Sequence, residues 1–449
     1  MTVSDHTAHR LLARLAHAQA TGRYPSVVAR VVRDGEPAWS GFRGTPEAIG
    51  HDPHDVQYRI GSITKTMTAV LVLQLVRDGR VSLDEPVSVV LGDLGGSAYA
   101  DRTVRTLLAH SSGMQSEPSG AWWERTAGVS FADLLAANDG AGAVFAPGER
   151  FHYSNLGYAV LGELVARLHG TTWWDAVRSR VLEPLGMGRT SYLPEGAAAQ
   201  GRSVHPYDGT LADEPSTDTG AMAPAGQVWS TAADLATYAV FLGRGHADVL
   251  DDSLLARAFG PQAGAPEDGL GAAHALGFQL VAGGSGTLVG HSGSMPGFLA
   301  ACFLDRARRT GAVVLANATS GYSPVALATE LLDELEACEP TVPEAWVPTV
   351  EVPSVLAGVP GVWHWGNTPF VFALEGRDLV ARRGTVEAYR FAVTEAGRVV
   401  GRSGYHAGEE LHVVRRPDGT VGHLEVATFV YTRTPYDPDA PIPGGVPGS

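Results

Sequence analysis

Ser62 and Lys65, three residues apart in "RIGSITKTMTAV" (residues 59–70), are the first side chains whose types and spacing could support a reaction. On a helix, residues i and i+3 share a face, so the Lys65 amine can reach the Ser62 hydroxyl. Serine becomes a nucleophile when a base removes its proton, and a desolvated, uncharged lysine can be that base. The pattern alone leaves open a second interpretation, a helix-capping serine followed by a surface lysine.

A second group, Tyr153-Ser154-Asn155, stands in "PGERFHYSNLGYAVLGE", at the junction of a loop and a predicted helix. A tyrosine close to a lysine can carry a proton, and an asparagine can orient a substrate amide. The alternative for this stretch is an aromatic packing residue followed by a helix-capping asparagine.

A third group, His291-Ser292-Gly293, ends an apolar run in "TLVGHSGSMPGF". Glycine allows a substrate backbone to approach closely, and the backbone N–H of Ser294 could then contribute to an oxyanion hole. An ordinary strand-to-turn sequence is the alternative here.

The elements that must position these groups follow from hydrophobic periodicity. Apolar residues at helical spacing (Leu11, Leu12, Leu15) predict an opening helix, and the runs on either side of Asp34-Gly35 predict a β-hairpin. Helical signals dominate from about residue 60 to residue 240, and strand-like runs separated by glycines follow before a closing helix. The order predicts an α+β fold of the kind in which an antiparallel sheet is flanked by helices and interrupted by a helical region.

The pattern of residue types changes after residue 338, which predicts a division into domains. Residues 1–338 are assigned to the catalytic domain, and the proline-rich residues 339–355 to a linker. Short alternating runs over 356–436 predict a small all-β domain, either a sandwich or a barrel. The Pro/Gly-rich residues 437–449 are predicted to form a flexible tail.

Bulk composition excludes several classes of function. The chain has 449 residues and a formal net charge of −15, which argues against a nucleic acid or an anionic membrane as partner. Its two cysteines, Cys302 and Cys338, form neither a metal-binding motif nor a disulfide framework. With no signal peptide and no long apolar stretch in the sequence, we expect a cytoplasmic protein that needs no metal or cofactor.

S-x-x-K, then Y-S-N, then H-S-G, in that order, resembles the serine β-lactamase and penicillin-binding-protein superfamily, and specifically its class C branch. The stretches "VRTLLAHSSGM", "VLEPLGM" and "STAADLATYAVFL" are similar to the same family, and the resemblance covers about residues 8–335. It implies that Ser62 is the acylated nucleophile and that Lys65 and Tyr153 share the proton transfers, without deciding which of them is the base for acylation.

The resemblance assigns further residues to the site. Asn155 would hold a substrate amide, and His291, with Ser292 and Gly293, would stand on the side of the substrate carboxylate. The backbone amides of Ser62 and Ser294 would form the oxyanion hole. Gly226 and Trp229 in "AGQVWS" would line the site, whereas His110 in "AHSSG" is interpreted as structural.

The C-terminal domain resembles a lipocalin-like barrel, because "GVWHW" matches the G-x-W signature of such barrels with Trp363 as the tryptophan. Arg433 in "FVYTRTPYDP" stands where these barrels often carry an arginine on the last strand. Two roles are open for it: stacking on the barrel tryptophan, or binding a substrate carboxylate.

A class C-like core followed by a lipocalin-like domain resembles the penicillin-binding-protein-type thioesterases of nonribosomal peptide assembly. This implies a trans-acting enzyme that takes a peptidyl or acyl donor, as a thioester or ester, onto serine. It would release the peptide as a head-to-tail macrolactam and prefer a donor that ends in a D-residue. A peptidyl carrier protein is then a possible partner, met by basic pairs such as Arg382-Arg383 or Arg415-Arg416.

Three alternatives stay open. The enzyme could form an amide with a separate amine, as an intermolecular transacylase. It could be a plain hydrolase, namely a D-aminopeptidase, an esterase or a β-lactamase. The fold could also serve as a non-catalytic binding module, although four intact chemical groups argue against that.

Overall fold

The computed structural model describes residues 2–44, 52–138, 143–269, 271–284, 286–319, 321–342, 345–349 and 351–442. The chain divides into two compact units, Met1–Thr341 and Val342–Ser449. Part of the predicted linker (residues 343, 344 and 350) and most of the predicted tail (443–449) lie outside the described residues. Within the described ranges, no helix is both long enough and apolar enough to cross a membrane.

The first unit contains helices and strands in the mixed order expected from the sequence. Its helices are α1 (Asp5–Gly22), α2 (Thr64–Arg77), α3 (Val104–Leu108), α4 (Phe131–Ala137), α5 (Asn155–His169), α6 (Trp173–Val177), α7 (Glu183–Leu185), α8 (Ala223–Gly226), α9 (Ala232–Arg244), α10 (Asp252–Ala258) and α11 (Pro324–Cys338). Its strands are β1 (Ser26–Arg33), β2 (Glu36–Gly44), β3 (Tyr58–Arg59), β4 (Arg202–Val204), β5 (Leu211–Asp213), β6 (Trp229–Ser230), β7 (Ala272–His274), β8 (Gln279–Gly283), β9 (Gly286–Met295), β10 (Phe298–Asp305) and β11 (Thr310–Ala316).

A seven-stranded antiparallel sheet in the order β2-β1-β11-β10-β9-β8-β7 forms the centre of this unit. β1 pairs with β11 from Val27↔Ala316 to Arg33↔Thr310, so the N-terminal hairpin joins strands from the far end of the sequence. α1 and α11 bury an apolar cluster against one face, and α2, α5 and α9 contribute to a larger cluster on the other. The helical middle is therefore inserted between β2 and β7, and the predicted α+β class is confirmed.

The second unit is an eight-stranded closed antiparallel barrel. Its strands are β12 (Gly361–Trp365), β13 (Thr368–Glu375), β14 (Asp378–Arg383), β15 (Val386–Val393), β16 (Val399–Ser403), β17 (Glu410–Arg415), β18 (Val421–Val426) and β19 (Phe429–Thr432). Alternate side chains such as Trp363, Phe372 and Leu424 are buried in its interior, as the alternating sequence pattern requires. Of the two architectures predicted for this region, the chain adopts the barrel.

Arg433 follows the last barrel strand and packs on the barrel tryptophan. Its guanidinium carbon lies 3.9 Å from the Trp363 ring centroid. Its nitrogens donate to the backbone carbonyls of Gly358 (2.5 Å) and Val362 (3.0 Å). This is the stacking arrangement, one of the two roles that the sequence left open for this arginine.

Replacing Arg433 with alanine should destabilise the barrel. The change removes a stacked cation and several charge-assisted hydrogen bonds, which together are worth about 2–3 kcal/mol. Differential scanning calorimetry of the full chain should show the transition of the second unit lowered by roughly 5–15 °C. Arg433→Lys keeps the positive charge but lacks the planar guanidinium, so its transition temperature should lie between those of the wild type and Arg433→Ala. An unchanged transition in Arg433→Ala would contradict the structural role.

Candidate active site

Ser62 lies on a 3₁₀ turn, Gly61–Ile63, that leads directly into α2. Lys65, one turn further on, points its amine back at the serine: Lys65 Nζ is 2.9 Å from Ser62 Oγ. The same amine donates to the Ala225 carbonyl of α8 at 2.6 Å, which fixes its position. The i, i+3 contact expected from the sequence is therefore present.

Lys65 is completely buried, and burial lowers the pKa of its amine to about 7. Glu117 and Glu124 oppose this shift, but desolvation outweighs them. A substantial fraction of Lys65 is therefore uncharged near neutral pH. A neutral amine can donate to Ala225 and still offer its lone pair to the Ser62 proton.

Tyr153 immediately precedes the N-cap of α5, and its hydroxyl hydrogen-bonds with Ser62. Lys65 Nζ lies 5.1 Å from the centroid of the Tyr153 ring. Burial raises the pKa of Tyr153 above its ordinary value, so the phenol keeps its proton. The lowered pKa of Lys65 and the raised pKa of Tyr153 favour Lys65 as the base for acylation and Tyr153 as a proton donor. The sequence left this choice open.

His110 positions Tyr153. The two rings stack with centroids 4.0 Å apart, and His110 Nδ1 accepts the Ser154 N–H at 3.1 Å. His110 adopts a left-handed backbone conformation (φ 54°), and burial holds the pKa of its imidazole well below the ordinary value. A neutral ring that accepts a backbone N–H is a structural support, in agreement with its sequence interpretation.

The backbone N–H groups of Ser62 and Ser294 are brought together by two glycines. A Cβ atom at Gly61 (φ 53°) would lie 2.5 Å from Ser294 N, and one at Gly293 would lie 1.9 Å from the Ile60 carbonyl oxygen. Any side chain at either position would push β9 away from the 3₁₀ turn. The close approach of these two backbones is what sets the oxyanion donors beside the serine.

The direction of the Ser294 N–H follows from the antiparallel pairing of β9 with β10. Met295 and Phe298 pair across a two-residue turn, so Ser294 and Leu299 form the next, non-hydrogen-bonded pair. The Ser294 N–H therefore points away from β10. On the same edge of β9, the Ser292 N–H donates to Gln279 Oε1 at 2.9 Å. Ser294 is exposed, which leaves its N–H accessible to a substrate oxygen.

His291 lies on β9, with its ring centroid 6.4 Å from that of Tyr153. Its Nδ1 is 2.6 Å from the Ser292 carbonyl oxygen, and since a carbonyl only accepts, Nδ1 carries the proton. Burial, with Lys65 contributing, lowers the pKa of His291 to about 3. The ring is therefore neutral and can act toward a substrate through hydrogen bonding, not through charge.

Asn155 is the first residue of α5, and its Nδ2 donates to Glu117 Oε1 at 2.7 Å. The other Glu117 oxygen accepts the Trp123 indole N–H at 2.6 Å. The sequence interpretation missed Glu117, Trp123 and the neighbouring Glu124. The signal that could have found them is the sequence "EPSGAWWE", two tryptophans between two glutamates shortly after "AHSSG".

Gly226 and Trp229 differ in their distance from the reacting groups. A Cβ atom at Gly226 would lie 3.7 Å from the Gly61 carbonyl carbon, so Gly226 borders the serine turn. Trp229 is buried on β6, where its ring packs edge-on against Phe298 at 5.1 Å. It supports the site from within the core. Arg433 belongs to the second unit, described above.

The pKa of Lys65 predicts the pH dependence of acylation. The neutral amine is the active form, so kcat/KM should rise as pH increases through about 7 and then level off. His110, His274 and His291 do not account for such a rise, because burial lowers the pKa of each and keeps it neutral there. Steady-state kinetics from about pH 5 to 9 test this. His152→Gln, which alters a nearby histidine bonded to Ser116, should retain the rise. A profile that falls through pH 7 would contradict the assignment.

Comparisons with known proteins agree with this geometry. The family model "Beta-lactamase" matches residues 11–337, and a "Domain of unknown function (DUF7586)" matches residues 352–433. Penicillin-binding protein 4 of Amycolatopsis lactamdurans is 34% identical over 212 residues, which are 44% of this chain and 52% of that protein. The chain spans about half the length of the curated relatives it matches.

Two solved structures are similar in fold. A D-stereospecific amidohydrolase from Streptomyces sp. has a TM-score of 0.59 and 26% identity, and the match covers 75% of this chain and 99% of that one. SurE with D-Leu has a TM-score of 0.59 and 24% identity, and the match covers 96% of this chain and 100% of that one. With the family model matching well over half of its length, this chain belongs to the Beta-lactamase family, a family of serine hydrolases and acyl-transferring enzymes.

Proposed function

We propose that this protein is an active-site-serine acyltransferase that works through a covalent acyl-enzyme. The observation that carries the proposal is the contact between Ser62 and a fully buried Lys65 whose pKa is about 7. A buried amine with this pKa can accept the serine proton at neutral pH, which an exposed lysine cannot do. The same contact argues against a non-catalytic binding module.

In the acylation step, Ser62 Oγ attacks the donor carbonyl while its proton passes to Lys65 Nζ. The carbonyl oxygen becomes an oxyanion held by the N–H groups of Ser62 and Ser294. The tetrahedral intermediate collapses by breaking the carbonyl–sulfur or carbonyl–oxygen bond of the donor, and the leaving thiol or alcohol takes a proton from Tyr153. The phenol is restored by the proton on Lys65, so the ester forms with no net proton change.

In the deacylation step, we propose that an amine is the acceptor and that it is the N-terminal amine of the same peptide. The amine attacks the Ser62 ester and loses one proton to Lys65, and the departing Ser62 Oγ takes a proton from Tyr153. The proton on Lys65 then restores the phenol, so the step ends with no net proton change. The product is a head-to-tail macrolactam, and the donor is a carrier-bound thioester that ends in a D-residue. The preference for a D-residue is supported by the likeness to a D-stereospecific amidohydrolase.

The basic pairs that were expected to contact a carrier protein support such a contact less than the sequence suggested. Arg382 pairs with Glu375, and Arg415 donates to the backbone carbonyl of Ala357 at 2.8 Å. Arg416 lies 3.8 Å from Asp437. Glu375 and Asp437 therefore offset part of this charge, and the carrier part of the proposal rests on the thioester chemistry.

A hydrolase is the second candidate, favoured by the 26% identity to an amidohydrolase. An intermolecular transacylase differs from the cyclase only in the origin of the amine. Product mass spectrometry distinguishes the three. A peptidyl thioester mimic ending in a D-residue should give a product one water lighter than the linear acid, formed by the wild type only. Linear acid alone would support the hydrolase, and an adduct with an added free amine would support the transacylase.

A further inference from the structure

A cavity of about 650 Å³ opens between α5, α6 and the segment that leads into α8. Its volume is typical of small-molecule sites, which measure about 300–1,000 Å³. Ala223 and Pro224 of α8 line it, whereas the carbonyl of the next residue, Ala225, holds Lys65. The described residues that line the cavity include none of the groups that act in the steps described above. The cavity and the active site therefore share one helix and have separate linings.

One part of the lining consists of small residues. Ala159, Gly162 and Ala166 recur at i, i+3 and i+7, so they share one face of α5. α8 packs directly on this face, because a Cβ atom at Gly162 would lie 2.0 Å from Pro224 Cγ. The two alanines, one turn before and one turn after this contact, lack the bulk to fill the space beside it. A larger side chain at Ala166 would occupy the cavity.

Aromatic rings supply another part of the lining. The Trp174 ring has its centroid 6.2 Å from that of Trp173 and 5.7 Å from that of Tyr192, with the ring planes tilted by 47° and 59°. Trp173 is fixed in place, because its indole N–H donates to Thr68 at 3.1 Å and Thr68 donates to the Pro224 carbonyl, also at 3.1 Å. Rings held at such angles favour an aromatic ligand, which can stack on one ring and meet another edge-on.

The charged groups of the lining already have partners. Glu163 pairs with Arg167 at 2.8 Å. Asp218 accepts the Tyr192 hydroxyl at 2.6 Å and is close enough to Arg59 to act on its charge. Among the described residues of the lining there are two carboxylates and no lysine or arginine, so an anion would be repelled. A cation would find both carboxylates already engaged, and the lining therefore favours an uncharged ligand.

We infer that this cavity binds an uncharged aromatic molecule or group, whose ring packs on Trp174 and Tyr192 and extends over Ala166. The ring has two possible sources: a free small molecule, or an aromatic side chain of a peptidyl donor that reaches past α8 from Ser62. The inference goes beyond the proposed function. Binding at this cavity requires no acyl transfer, so a failure of the proposed function leaves its test unaffected.

The test uses two fluorescent probes of the same ring system in the full chain. N-phenyl-1-naphthylamine is uncharged, and 8-anilino-1-naphthalenesulfonate adds one negative charge. Titration gives the Kd of each probe for the wild type and for two cavity variants, Ala166→Phe and Trp174→Ala. The matched controls are Ala13→Phe, at an exposed position of α1, and Trp346→Ala, which removes a tryptophan that is 84% exposed in the second unit. Thermal unfolding shows that each variant is folded.

The wild type should bind the uncharged probe at least about tenfold more tightly than the sulfonate. Ala166→Phe fills the cavity and Trp174→Ala removes a ring face, so each should weaken binding of the uncharged probe by at least about tenfold. Both control variants should bind it within about threefold of the wild type. Equal binding of the two probes by the wild type, or unchanged binding by a folded cavity variant, would overturn the inference.

Displacement of the uncharged probe from Ser62→Ala, which lacks the nucleophile, identifies the source of the ring. Phe-Phe-D-alanyl and Ala-Ala-D-alanyl thioesters differ only in their aromatic rings. Displacement by the phenylalanine peptide alone would assign the ring to the donor, and displacement by neither peptide would assign it to a free molecule. Equal displacement by both peptides would place the probe in the acyl site and overturn the inference.

Discussion

Replacement of Ser62 by alanine should abolish turnover, with a loss of roughly 10⁴- to 10⁶-fold in kcat for any thioester or ester donor that the wild type accepts. The variant removes the only atom in this account that bonds to the acyl group, so the covalent intermediate cannot form. The rest of the site should be intact, because Lys65 remains anchored to the Ala225 carbonyl. Donor consumption by the purified variant, followed by thiol release, measures the loss.

Ser294→Ala is the matched control. This serine contributes its backbone N–H and is exposed, so removal of its hydroxyl keeps the oxyanion donor. We expect kcat to stay within about threefold of the wild-type value, since a surface substitution changes little elsewhere. Turnover by Ser62→Ala at a rate near that of the wild type would contradict the assignment of the nucleophile.

The second large effect is expected at Lys65. Lys65→Ala removes the base 2.9 Å from Ser62 Oγ, and kcat/KM for acylation should fall by roughly 10²- to 10⁴-fold. The remaining rate should no longer rise through pH 7, because the group responsible for that rise is gone. Pre-steady-state acylation rates as a function of pH measure both effects.

Chemical rescue gives the control for Lys65→Ala. A small primary amine such as methylamine fits the volume vacated by the side chain and should restore part of the rate, whereas an ammonium ion that lacks a proton to exchange, tetramethylammonium, should not. A Lys65→Ala enzyme that retains the rise through pH 7 would show that another group is the base.

Sequence reasoning reached the groups that lie on one element or in one short motif. Ser62 and Lys65 are three residues apart, so periodicity placed them within reach of each other, although the pattern also fitted a capping serine followed by a surface lysine. The inserted helical region and the antiparallel sheet could also be predicted, since the spacing of apolar residues differs between helices and strands. The barrel was one of two alternatives, because short alternating strands fit a sandwich equally well.

What the sequence could not supply are contacts between distant segments and the effects of burial. Neither the burial of Lys65 nor the lowered pKa of His291 can be read from their neighbours in the chain. They depend on α5, α8 and β9 meeting around them. Glu117 was missed because its role comes from a contact with Asn155, 38 residues away.

The most direct test of the central claim is to trap the acyl-enzyme by rapid acid quenching and to locate it by mass spectrometry. With a D-terminated peptidyl thioester, the account predicts that the wild type gains the mass of the donor less its thiol within the first turnover. After digestion, the adduct should map to the peptide that contains Ser62 and should disappear as product forms. Product formation without an adduct, or an adduct on another residue, would contradict the account.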